Sequence, residues 1–182
     1  MQPTISADTK TYKIDEAHSN VRFWVRHLMI SKVHGELSDI TGTVEYDAAA
    51  PDQTKIDVVI NANSLTTKVD QRDGHLKSSD FMDVEKYPTI TYKSTSVTKT
   101  DGNEFDIVGD FTLHGVTKPV TFKAEVSDEV PSPFGGFKIG VSAKGEINRE
   151  DFGVSWNQAL ETGGIAVGKE IHFEIDLELD RA

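Results

Sequence analysis

One segment, "EIHFEIDLELD" (170–180), limits the possible folds more than any other stretch of the chain. Ile171, Phe173, Ile175, Leu177 and Leu179 alternate with His172, Glu174, Asp176 and Glu178. Successive side chains of a strand point to opposite faces, so this run is a β-strand with one apolar and one charged face. The same period recurs upstream. Val21, Phe23, Val25 and His27 alternate with Arg22, Trp24 and Arg26. Ile56, Val58 and Ile60 share one face, as do Ile90 and Tyr92. Phe105, Ile107, Phe111 and Leu113 line up, with Gly109 at the inward step between them. Val120, Phe122, Ala124 and Val126 follow, and then Phe137, Ile139, Val141, Ala143 and Ile147. Turn signals at 48–53, 100–103, 114–119 and 132–136 separate the runs. About eight antiparallel strands are predicted, with no linker to divide them.

Composition narrows the function classes. The chain has 182 residues and 37% hydrophobic residues, enough for one domain with a real core. Its 19 Lys and Arg face 30 Asp and Glu, a net charge of −11. Such a surface repels phosphate backbones, which argues against nucleic acid as a partner. Cysteine is absent, so disulfides, thiolate nucleophiles and Cys-ligated zinc are excluded. No apolar run approaches the ~20 residues of a helical membrane span. The opening "MQPTISADTKTYKID" lacks a basic segment followed by an apolar one. That reads as a cytoplasmic chain without a signal peptide, or as a mature periplasmic form with Met1 added.

The period breaks at 64–86, which reads as a short helical insertion between two strands. Ser64 is expected to cap a helix beginning "LTTKVDQ" and Asp73 one beginning "GHLKS". Tyr87–Pro88 then returns the backbone to extended geometry.

Strands that are apolar on one face either stack as two sheets or close into a barrel, and closure also removes exposed edges. An eight-stranded barrel is just wide enough to be filled by side chains or to hold one small ligand. The inward residues mix Phe23, Phe111, Phe122 and Phe173 with Gly109, Ala124, Ala143 and Gly145. The small ones either balance the large ones or leave an elongated void.

Six blocks then carry a family resemblance: "YKIDEAHSNVRFWVRH" (12–27), "KVHGELSDITGTVEYD" (32–47), "SLTTKVDQRDGHLKSSDFMDVEKYPTITYKST" (64–95), "GDFTLHGVTKPVTF" (109–122), "GEINREDFGV" (145–154) and "VGKEIHFEIDLE" (167–178). In this order they resemble the YceI-like family of polyisoprenoid-binding proteins. The resemblance implies a lipocalin-like, antiparallel eight-stranded barrel over residues 11–182, with 1–10 as an N-terminal extension. It further implies a non-covalently bound long-chain isoprenoid, either a polyprenyl lipid or an isoprenoid quinone, and neither a catalytic cofactor nor catalytic residues.

Candidate tail contacts on the strands are Phe23, Val25, Ile56, Val58, Ile60, Tyr92, Phe111, Leu113, Phe122, Phe137 and Phe173, with His27 at the end of its face. Phe81, Met82, Phe152 and Trp156 add apolar contacts from the insertion and a later turn. Arg72 and His75 form either part of a capped lid or a polar rim for a head group. Arg149 reads as an ion pair with Asp151 or as a head-group contact. An alternative makes His75 a general base oriented by Asp73 in an enzyme acting on a small apolar lipid. The six histidines show no helical His-x-x-x-His pair for a metal, and His172 is expected to be solvated. Trp24, on the outer face, serves either a homodimer or the bare surface.

Overall fold

A computed structural model describes residues 8–182. The extension expected at 1–10 therefore lies mostly outside the described residues, and the first strand begins at Lys10. Eleven strands follow in chain order: β1 Lys10–Ile14, β2 Asn20–His27, β3 Ser31–Leu37, β4 Ile40–Tyr46, β5 Lys55–Asn61, β6 Thr89–Asp101, β7 Glu104–Leu113, β8 Val116–Val126, β9 Val130–Pro131, β10 Phe137–Asn148 and β11 Glu170–Arg181.

These make an eight-stranded antiparallel barrel. β1 and β2 are two halves of one long strand, interrupted by the turn Glu16–His18, and both lie along β11. β3 and β4 are likewise two halves of its hairpin partner. From there β5, β6, β7, β8 and β10 pair in succession, and β10 pairs β11 over its whole length to close the ring. β9 is a two-residue addition on β10.

The up-and-down order fixes what sits at each end. One end carries the hairpin Leu28–Ile30, the insertion between β5 and β6, the turn His114–Gly115 and the segment 149–169. The other carries 47–54, Gly102–Asn103, 127–136, the start of β1 and the end of β11.

Inside, rings are set against glycines. A side chain at Gly35 would collide with the Phe23 ring, one at Gly109 with Tyr92, and one at Gly145 with Phe122. At these positions the small residues serve to balance large ones, since close packing leaves no room for both.

The insertion is one α-helix, Asp70–Lys77, preceded by the turn Ala62–Ser64. The two expected capping roles are corrected. Ser64 donates to the Asn61 carbonyl at 2.7 Å and starts no helix. Asp73 sits within the helix, where its carboxylate ties down the loop before it.

Candidate functional site

Barrel registry aims Val44, Ile56, Val141, Ile175 and Leu177 inward, yet each is only half-buried. They face a cavity of about 130 Å³ in the half of the barrel away from the insertion. Among the described residues no charged side chain lines it; Tyr46, Thr54 and Tyr92 supply the polar side-chain atoms. The Tyr92 hydroxyl sits 3.0 Å from the Ile107 carbonyl and 3.1 Å from that of Val120, so its proton stays with the wall. Burial pushes that phenol above its ordinary value. The Thr54 Oγ1 is buried with no hydrogen-bond partner among the described residues. The cavity is therefore an apolar volume whose wall includes the unpartnered Thr54 hydroxyl.

Aromatic rings mark its boundary. The Phe111 and Phe173 centroids lie 5.9 Å apart, and those of Phe122 and Phe173 lie 6.3 Å apart. Beyond this layer ring packs on ring. Phe152, 2% exposed, stands edge-on to Phe111 at 5.6 Å. Phe81 and Trp156 pack at 5.2 Å, and the His75 ring stands edge-on to both, at 5.0 and 4.8 Å.

The candidate residues divide along this boundary. Ile56, Val58, Ile60, Tyr92, Phe111, Phe122 and Phe173 line the cavity. Phe23, Leu113, Phe81 and Phe152 are buried in the core but away from the cavity, and Val25, Met82 and Trp156 are half-buried against that core. Two residues expected on the inner face are not there. His27 is exposed, because β2 has by then run past the barrel wall to its hairpin tip. Phe137 is 37% exposed at the start of β10, with the Arg181 guanidinium 3.9 Å from its ring centre. Thr54, Tyr46, Val44, Val141 and Leu177 line the cavity in addition to the expected contacts. Only inward alternation could have flagged the aliphatic ones.

The polar candidates also resolve. Asp73 accepts from the Thr67 amide at 2.8 Å, the Thr67 hydroxyl at 2.5 Å and the Thr66 hydroxyl at 3.0 Å. Burial pushes its carboxyl up, but these donors outweigh burial and hold it below the usual range. Arg72 donates to the Thr67 hydroxyl and carbonyl, and so ties the helix to the loop before it. His75 pairs with Asp80, at 2.8 Å, and Asp73 does not orient it. Arg149, 2% exposed, meets no carboxylate among the described residues; its guanidinium donates to the carbonyls of Val154, Val167 and Gly168. Burial lowers its pKa from the ordinary value. Arg149 thus fastens the segment 149–169 across the barrel end. His172, expected in solvent, stacks on Trp24 at 3.8 Å between ring centres.

Among the described residues two groups of side chains approach metal-ligating geometry: Asp15, His18 and Glu178, and Glu146, Glu170 and His172. In the first, the Lys138 ammonium already sits 2.5 Å from Asp15 and 3.2 Å from Glu178.

A model of the YceI-like domain matches residues 12–179. The chain belongs to the YceI-like family. It is 44% identical over 151 residues to protein YceI of Escherichia coli, covering 82% of this chain and 78% of that one. The crystal structure of Burkholderia cenocepacia BcnA superposes with a TM-score of 0.80 at 20% identity, covering 91% of this chain and 98% of BcnA. A domain from Saccharophagus degradans, described as polyisoprenoid-binding and implicated in plant cell wall breakdown, gives a TM-score of 0.68 at 15% identity. That likeness covers 94% of this chain and 98% of the domain, and it speaks for the shared fold.

Proposed function

We propose that this YceI-like protein binds a long isoprenoid lipid, a polyprenyl compound or an isoprenoid quinone, by its tail, for storage or transfer. The observation that carries the reading is the cavity, whose lining offers hydrocarbon and no charge. The description of the Saccharophagus degradans domain, which shares this fold, supports the same reading. Each methylene withdrawn from water contributes about 0.8 kcal/mol, so a tail binds without polar anchors, although ordering it reduces the net.

About 130 Å³ takes only part of a long tail. In this reading the tail tip lies against Ile56, Val58, Ile60 and Tyr92. The chain then crosses the Phe111, Phe122 and Phe173 layer toward Phe81, Met82, Phe152 and Trp156, which part to admit it.

Native mass spectrometry tests the proposal, with a polyprenol and an isoprenoid quinone of matched tail length as probes. One bound molecule per chain is expected with at least one of them. Ala143→Phe fills the cavity from β10 and should weaken that binding more than about tenfold, the scale of several excluded methylenes. Absence of both adducts, or full binding by the variant, contradicts the proposal.

A further inference from the structure

The hairpin between β2 and β3 ends in three consecutive apolar residues. Leu28 is 39% exposed, Met29 62% and Ile30 80%. The turn closes with the Ile30 amide donating to the His27 carbonyl at 3.1 Å. Both central residues have positive φ, 51° at Leu28 and 64° at Met29. Side chains rarely adopt that region, and hairpins of this geometry favour Asn-Gly. The chain therefore accepts backbone strain and presents hydrocarbon to water at a tip where a polar pair would fold more easily.

The charge around the tip is reversed relative to the rest of the chain. Between Val21 and Gly35 there are Arg22, Arg26 and Lys32, two histidines and no carboxylate, in a chain of net charge −11. Arg22 is paired with Asp176 at 2.6 Å. Arg26 and Lys32 have no acidic partner among the described residues; they flank Trp24 instead, 5.8 and 4.0 Å from its ring centre. A basic pair and a tryptophan behind an apolar tip is the arrangement that suits a bilayer's interface.

The tip is also joined to the barrel's covered end. The Leu28 amide donates to the Ala166 carbonyl at 2.8 Å, and the Gly168 amide to the Arg26 carbonyl at 2.9 Å. Residues 166–168 belong to the segment that Arg149 fastens down and that contributes Trp156 to the stack with Phe81.

We propose that the β2–β3 hairpin is a membrane-docking element: Leu28, Met29 and Ile30 enter the outer layer of an anionic bilayer while Arg26 and Lys32 meet its phosphates. The docking orients the insertion end, with its Phe81–Trp156 stack, toward the lipid.

Flotation with vesicles tests this, using phosphatidylcholine alone and phosphatidylcholine mixed with phosphatidylglycerol. The protein should float with the mixed vesicles and only weakly with the neutral ones, and added salt should reduce binding. The Leu28→Asn, Met29→Gly double variant suits the positive φ values and should keep its thermal stability and its polyprenol binding in detergent. Its vesicle partitioning should fall more than about tenfold, the scale of two withdrawn side chains. Ile30→Ser is the independent check on the tip, and Arg26→Ser or Lys32→Ser should each cost roughly fivefold. The proposal fails if the unaltered protein binds neither vesicle, or if the double variant and Ile30→Ser bind as well as it does. It also fails if the tip instead joins two copies of the chain, seen as a dimer that the double variant dissociates without any vesicle binding. Because tail binding is measured separately in detergent, failure here is distinct from failure of the isoprenoid reading.

Discussion

The two halves of the barrel use the same eight strands and the same alternation, but one is packed ring on ring and the other holds a cavity. In the half under the insertion, rings meet rings: Phe152 on Phe111, Phe81 on Trp156, with His75 edge-on to both. In the other half the inward residues are mostly Val, Ile and Leu, and the volume they leave is the cavity. A branched aliphatic side chain reaches less far across a barrel than a ring does. The difference lies in how far the inward strand side chains reach.

That contrast predicts unequal responses to truncation. Phe152→Ala should destabilise the fold by about 3–5 kcal/mol in urea denaturation, because it removes a fully packed ring. Leu177→Ala, which already faces open space, should cost only about 1–2 kcal/mol. Equal costs would erase the distinction between the halves. A smaller effect of opposite sign sharpens it: Ala143→Leu, pointing into the cavity, should raise the stability of the ligand-free protein by about 1 kcal/mol. A loss of that size would mean that the space is smaller than it looks.

The smallest expected effect concerns the open half's outer seam. Lys138 first, then His18, holds the Asp15 carboxyl down at about 2. A carboxyl depressed by folding adds stability above its unfolded value of about 3.9. That stability fades as the pH falls through about 2. Asp15→Asn should therefore be less stable than the parent at neutral pH and converge with it between about pH 4 and 2. Thermal melts across that window measure the gap, and a constant gap would show that Asp15 does not act through its charge.

Much of the architecture was legible in the sequence. β2, β5, β7, β8, β10 and β11 announce themselves because most of their inward positions are apolar. β3 and β4 do not, because Gly35 and Gly42 interrupt the inward face, and β1 is too short to show a period. The break of each long strand into two halves depends on turns whose cost is repaid only by closure. For the site, alternation marked inward faces, but it could not say where the cavity lies. That depends on the summed reach of eight strands that are distant in sequence. The aromatic residues and the polar residues of the insertion therefore point to the filled end. His27 and Phe137 were misplaced because alternation continues past the point where the barrel wall stops. Asp73 was misread because its partners, Thr66 and Thr67, precede the helix and do not follow it.

The central claim is that the aliphatic half holds the tail. A crystal of the protein with an isoprenoid quinone brominated at the tail's far end locates that end by anomalous scattering. The bromine peak should fall among Ile56, Val141 and Leu177. A peak on the outer surface, or confined to the Phe81–Trp156 layer, would contradict the account.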